Sequence, residues 1–296
     1  MALPGLEVTR LAGALGAEVR GVDLAAVDAT VARGIEELLW EHQVLFFPDQ
    51  HPTVEAHVTF GAHYGELQGH PHLKNADSDL ADKVFELRAS RGGVADEWHT
   101  DLTFLEEPAL YSILHMVACP AVGGDTMWSS LYRAFDELSA PLQELCLGLT
   151  ALHNADPHQR PEAMTVHPVV RLHPETGRRV LYVNEHFTRR IVELSREESD
   201  LLLGHLTRWV SNPRFTVRYR WTKGTVAMWD NRCTQHFVLN DFEEERIIQR
   251  VTVMGDRPEA AAPARWEPFL RKGGLSDTSR HDKLLREWLR RQKPSS

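Results

Sequence analysis

The sequence is poor in cysteine, in long apolar runs and in basic charge. Cys119, Cys146 and Cys233 are the only cysteines among 296 residues, and no CxxC pair occurs. That excludes a disulfide framework and a thiolate zinc cluster, and it predicts reduced thiols in a cytoplasm. No stretch reaches the roughly 18 apolar residues that a membrane span needs, and Met1-Ala2-Leu3-Pro4-Gly5-Leu6-Glu7 lacks a basic segment ahead of an apolar one. Neither a membrane anchor nor an export signal is expected. With 33 Lys and Arg against 42 Asp and Glu, the formal net charge is -9. Such a chain lacks the dense positive surface that phosphate backbones demand, so no nucleic acid and no membrane is expected as partner, and a small molecule is. Internal repeats and low-complexity blocks are absent as well.

What is present is material for a core. At 42% hydrophobic, the chain is long enough for one large globular domain. Helical periodicity marks 29–41, with Ile35, Leu38 and Leu39 on one face, and also 54–64, 132–147 and 196–211. Around them lie short apolar segments separated by turn residues, at 6–11, 17–20, 44–47, 83–87, 109–117, 126–129, 169–172, 180–183, 215–221, 225–229 and 247–254. Short strands at that spacing predict an antiparallel sandwich or barrel, mainly β with flanking helices. This domain is expected to span 1–258. Beyond it Ala260-Ala261-Ala262-Pro263 reads as a linker, and 271–293 carries eight Lys and Arg against three Asp and Glu. Leu284, Leu285, Trp288 and Leu289 share one helical face there. The segment 259–296 is therefore expected to be a linker and a basic helix, either docked on the body or on a second subunit, or solvated.

Chemistry concentrates in Trp98-His99-Thr100-Asp101. In an extended strand residues i and i+2 project to one face, so His99 and Asp101 can reach the same ion. His236, which follows the apolar segment 225–229, is the candidate third ligand. Two imidazoles and a carboxylate on one face of a metal leave three positions open, the arrangement suited to non-haem iron(II) working with oxygen. Alone, HxD in a chain with 16 histidines is a weak signal. The discriminating segment lies at 243–250. If it is a strand, Arg246 and Arg250 share a face, and the apolar neighbours Ile247, Ile248 and 251–254 make that strand a core one. Buried guanidinium groups require an anion, and a carboxylate is the one they grip best. The plainer alternative is surface pairing with Glu243, Glu244 and Glu245.

Together these segments resemble the taurine dioxygenase and 2,4-dichlorophenoxyacetate dioxygenase family of iron(II)- and 2-oxoglutarate-dependent oxygenases. The likeness runs over about 6–258, through Gly16-Ala17-Glu18-Val19-Arg20-Gly21-Val22-Asp23, Trp98-His99-Thr100-Asp101, Gly123-Gly124-Asp125-Thr126, His167-Pro168-Val169-Val170, Tyr182-Val183-Asn184-Glu185 and Trp229-Asp230-Asn231-Arg232. The resemblance implies a double-stranded β-helix (jelly roll), iron(II) held by His99, Asp101 and His236, and 2-oxoglutarate and O2 as cosubstrates. It implies that Arg246 and the hydroxyl of Thr126 hold the distal carboxylate of 2-oxoglutarate.

It further implies that His70, Arg250 and the backbone N–H of Leu102 hold a substrate anion, with Phe104 and Phe187 as pocket walls; ordinary core packing is the alternative for both rings. Leu73 stands where the taurine-specific pattern has an amine-contacting tyrosine, and Ala95 where it has an asparagine. The anion grip is kept and the amine grip lost. The expected substrate is therefore a small organic anion with an apolar tail: an alkyl or aryl sulfonate, a sulfate ester or an aryloxyalkanoate. The stretch between His153 and His167 is shorter than the family's active-site lid, and a homo-oligomer is compatible with the sequence. Three other readings compete. A radical halogenase is opposed by Asp101, which occupies the halide position; a zinc hydrolase leaves Arg246 unexplained; a non-catalytic metal-binding β-sandwich is separated by iron- and 2-oxoglutarate-dependent succinate formation.

Overall fold

The computed structural model describes residues 5–68, 80, 83–89, 95–270 and 280–292. It divides into two compact units, one built from Met1–Asp101, Ala109–Ser130 and Pro213–Asp256, the other from Leu102–Pro108, Leu131–Asn212 and Arg257–Ser296. The units interleave along the chain, and Arg257–Ser296 belongs to the second.

In the first unit an eight-stranded sheet runs in the order Glu7–Arg10, Ala17–Arg20, Val44–Phe47, Val226–Asp230, Ala109–Ala118, Arg246–Met254 and Leu67–Gln68, with Phe85–Ala89 also paired to Arg246–Met254. Among the described residues only Ala17–Arg20 and Val44–Phe47 pair parallel. Thr216–Tyr219, Thr126–Ser130 and Thr234–Val238 form a three-stranded antiparallel sheet.

Side chains alternate between the faces of a strand, and both faces of the large sheet are covered. Phe46, Leu114, Met116, Trp229 and Ile248 enter a core shared with Trp128, Val217 and Tyr219 of the small sheet. Their neighbours Phe47, Ile113, Met228, Val251 and Val253 pack on Ile35 and Leu39 of the helix Ala29–His42 and on Val58 and Phe60 of the helix Val54–Ala62. Burial on both faces is why these strands read as continuous apolar runs. Two sheets around a filled interior, with helices outside, make the expected jelly roll. The same alternation puts Arg246 and Arg250 on the interior face with Ile248.

The second unit contains the hairpin Thr150–Ala155 and Arg160–Pro168, extended by Thr188–Ile191, and the pair Val170–Leu172 and Arg179–Leu181. The stretch between His153 and His167 is therefore a hairpin turned by the short helix Asp156–His158. The helix expected over 132–147 is two helices, Leu131–Asp136 and Ala140–Cys146, because Ser139 and Pro141 start a new helix rather than continuing the old one. Ser195 and Glu198 form a reciprocal capping box at the head of the helix Arg196–Val210.

The C-terminal helix Arg280–Arg291 docks within this unit. Leu284 and Leu285 are buried with Leu152 and Val192, and Trp288 and Leu289 pack beside them. Asp282 pairs with Arg190, which also donates to the carbonyls of Leu194 and Phe269, each at 3.0 Å. Among the described residues no helix is long and apolar enough to cross a membrane.

Candidate metal centre

A backbone ladder sets the centre. His99 N–H donates to the His236 carbonyl at 3.2 Å, and His236 N–H returns to the His99 carbonyl at 2.9 Å. Residues directly opposed in an antiparallel pair present their side chains on the same face. The two imidazoles accordingly lie side by side, with ring centroids 4.0 Å apart. Asp101, two residues on, joins them: one ligand atom from each of His99, Asp101 and His236 lies within 4.8 Å of the others, and all three residues are buried. His99 Nε2 is 3.9 Å from Asp101 Oδ1.

The surrounding hydrogen bonds prepare these groups as ligands. His99 Nδ1–H donates to the Glu97 carbonyl at 2.8 Å; since a carbonyl can only accept, the proton is on Nδ1 and the lone pair on Nε2. The Ser112 hydroxyl donates to Asp101 Oδ2 at 2.7 Å, and Arg250 Nη1 donates to Oδ1 and Oδ2 at 3.0 and 3.2 Å. Burial disfavours the charged Asp101 carboxylate, but Arg250, then the two imidazoles and the Ser112 hydroxyl, outweigh it and hold the carboxyl well below the usual range. Asp101 is thus ionised at neutral pH.

Behind Ser112 stands Asn231, whose Nδ2 donates to Ser112 Oγ at 2.9 Å and whose Oδ1 accepts from the Trp229 indole at 3.1 Å and from Asp101 N–H at 3.3 Å. In the same segment Arg232 pairs with Asp230 at 2.7 Å and donates to Tyr111 at 3.0 Å. The sequence alone assigns no task to Trp229-Asp230-Asn231-Arg232 and none to Ser112. The one sequence signal for Ser112 is a small polar residue within a mostly apolar strand.

Arg246 is a second feature of this unit. It is 3% exposed, and among the described residues no carboxylate lies in ion-pair distance of it. Its Nε donates to the Gly124 carbonyl at 3.3 Å and its Nη2 reaches Thr126 Oγ1 at 3.5 Å. Burial pulls its pKa down to about 10, with a small opposing effect from Cys119. Thr126 Oγ1 also accepts from the Trp221 indole at 2.9 Å. With two donors aimed at its oxygen, the hydroxyl proton is directed elsewhere, as a carboxylate acceptor would require. The Gly123-Gly124 turn is obligatory beside it: at φ 81°, a Cβ on Gly123 would meet the Asp241 carbonyl at 2.3 Å.

The donor set, its burial and the tautomer of His99 fit iron(II), and the uncompensated Arg246 beside Thr126 fits the far carboxylate of a diacid. The surface pairing of Arg246 and Arg250 with Glu243, Glu244 and Glu245 does not occur. Arg250 instead faces Asp101 and lies over the Phe85 ring at 5.5 Å. Leu102 adopts the left-handed conformation at φ 59°. In the second unit Phe104 and Phe187 meet edge to face, centroids 5.2 Å apart, and each contacts His158. His70 and Leu73 lie outside the described residues.

Comparison with known proteins agrees with this architecture. The family model described as "Taurine catabolism dioxygenase TauD, TfdA family" matches residues 7–252. The chain is 38% identical over 276 residues to an alpha-ketoglutarate-dependent sulfate ester dioxygenase of Pseudomonas putida, covering 86% of this chain and 91% of that protein. It is 35% identical over 274 residues to an alkylsulfatase of Acinetobacter baylyi, covering 85% and 86% respectively. Among solved structures, a taurine dioxygenase from Burkholderia xenovorans matches with a TM-score of 0.78 at 38% identity, over 86% of this chain and 93% of that one. The chain therefore belongs to the TauD, TfdA family of dioxygenases.

Proposed function

We propose that this 2-oxoglutarate-dependent dioxygenase oxidises a sulfate ester or sulfonate carrying an apolar tail, with His99, Asp101 and His236 as its iron ligands. The observation that carries the reading is Arg246, a buried cation that has no carboxylate partner among the described residues and shares Thr126 Oγ1 with Trp221. Burying a guanidinium is costly unless an anion meets it. The distal carboxylate of 2-oxoglutarate is that anion, taken up by Arg246 and the Thr126 hydroxyl.

When bound, iron(II) with 2-oxoglutarate and O2 supplies an oxidation in which one oxygen atom enters a substrate C–H bond and the other leaves in succinate, with loss of CO2. The protein's part is placement. The Glu97 carbonyl keeps the His99 lone pair on Nε2, and Ser112 and Asn231 fix the Asp101 carboxylate. Arg250 takes the anionic head of the substrate and so brings the adjoining carbon to the metal. Hydroxylation of a carbon bonded to a sulfate ester oxygen gives a product that splits into an aldehyde or ketone and sulfate. The Pseudomonas and Acinetobacter relatives, named for sulfate ester and alkylsulfate chemistry, favour that substrate over taurine.

The test is iron- and 2-oxoglutarate-dependent succinate release across hexyl sulfate, hexanesulfonate, a phenoxyalkanoate and taurine. Hexyl sulfate or hexanesulfonate should exceed taurine by at least an order of magnitude, matching the loss of an amine contact. Efficient taurine turnover with none on the apolar-tailed anions would overturn the substrate assignment, and no succinate from any of them, with metal bound, would overturn the activity.

A further inference from the structure

We propose that Arg250 couples metal binding to substrate binding, so that the protein holds its metal more tightly once the substrate anion has arrived. This rests on the reading that Asp101 is a metal ligand and that Arg250 meets the anion. The new element is the direct contact between the two. Arg250 Nη1 donates to both oxygens of Asp101, at 3.0 and 3.2 Å. Its side chain is 14% exposed, its Nε is buried without a hydrogen-bond acceptor, and among the described residues Asp101 is the one carboxylate in ion-pair distance.

One carboxylate therefore serves two cations, the guanidinium and the metal. A divalent ion that draws the charge of Asp101 leaves Arg250 undercompensated in a site shielded from water, where like charges repel more strongly than in bulk solvent. The guanidinium thus weakens metal binding until another anion neutralises it. A sulfate or sulfonate head does so, and by reciprocity the factor by which the anion tightens the metal is the factor by which the metal tightens the anion. Orienting the carboxylate does not depend on Arg250, because the uncharged Ser112 hydroxyl already holds Oδ2 at 2.7 Å. Arg250 is in this respect an electrostatic counterweight to the metal.

The experiment titrates Mn2+ into the metal-free, full-length protein by calorimetry, with no 2-oxoglutarate present, alone and with saturating hexyl sulfate. The wild type should bind Mn2+ more tightly with hexyl sulfate, by a factor within the roughly 5–150-fold range of such couplings, and 1-hexanol should have no effect. Arg250→Gln should bind Mn2+ at least as tightly as the wild type without the anion and gain nothing from it. Weaker Mn2+ binding by Arg250→Gln, or an equal hexyl sulfate effect in both proteins, overturns the coupling. The comparison of hexyl sulfate with hexanol on the wild type decides the matter even if the variant does not fold, since an equal response to both refutes it. Failure of the underlying readings looks different: His236→Ala with wild-type Mn2+ affinity removes the metal site, and metal-loaded protein that does not bind hexyl sulfate removes the substrate class.

Discussion

His57 Nε2–H donates to the Ile113 carbonyl at 3.1 Å, while its Nδ1 is buried without a hydrogen-bond partner. The helix Val54–Ala62 thereby pins a neutral imidazole onto the outer face of the large sheet. Burial first, and then the neighbouring His115, pull its pKa from 6.5 down to about 4, against the pull of the Ile113 carbonyl. Because the native state resists a proton that the unfolded chain accepts, the neutral ring contributes stability in full above about pH 6.5, and this is lost as the pH falls toward 4. Each such histidine adds about 1.4 kcal/mol per pH unit in that window. Urea unfolding between pH 4.5 and 6 should show His57→Gln, which keeps a donor for Ile113, with a slope shallower by about one proton. An unchanged slope would mean that other groups carry the acid sensitivity.

Arg246→Met removes a buried charge that has no counter-ion among the described residues. The KM for 2-oxoglutarate should rise on the order of 10²-fold, as expected when a buried charge-assisted contact to a ligand carboxylate is lost. The unfolding midpoint of the ligand-free protein should be unchanged or higher. An ordinary structural arginine would show the opposite pair of results, with an unaltered KM and a lower midpoint.

Ala95 sits at φ 83°, and its carbonyl accepts from Val238 N–H at 3.0 Å, so it anchors one end of the ladder that carries His236. A side chain in that conformation is strained by roughly 1–2 kcal/mol, which glycine relieves. Ala95→Gly should raise stability by up to about 1 kcal/mol, after the entropic cost of glycine, as read by thermal unfolding.

Leu285 is fully buried in the cluster formed with Leu152 and Val192. Leu285→Ala should cost about 2–5 kcal/mol, the usual range for emptying a buried leucine site. A cost near zero in denaturant titration would show that the C-terminal helix contributes little to the second unit.

What could be read from the sequence was what repeats locally. The strands 44–47, 109–117 and 247–254 were legible because burial on both faces makes them apolar throughout, and the helix at 29–41 because its buried stripe has the right period. Thr234–Val238 was not legible as a strand, because Thr234, Gln235 and His236 are polar although the strand buries them. Pro157 and Pro161 likewise hid the hairpin of the second unit, since both residues usually interrupt pairing. The facing of Arg246 and Arg250 followed from parity, but the contact of Arg250 with Asp101, across 149 positions, could not. His99 and Asp101 were found through their i, i+2 spacing, whereas Ser112 and Asn231 needed coordinates, since nothing in a serine or an asparagine announces whom it serves.

The chain passes between its two units five times, at 101/102, 108/109, 130/131, 212/213 and 256/257. No continuous stretch of the gene encodes either unit alone, so neither can be exchanged between relatives as a cassette. The first crossover falls immediately after Asp101, which means that recombination near His99 and Asp101 would also cut into the second unit. Diversification of the second unit must therefore proceed by replacements in place, with the segments of the first unit preserved around each one.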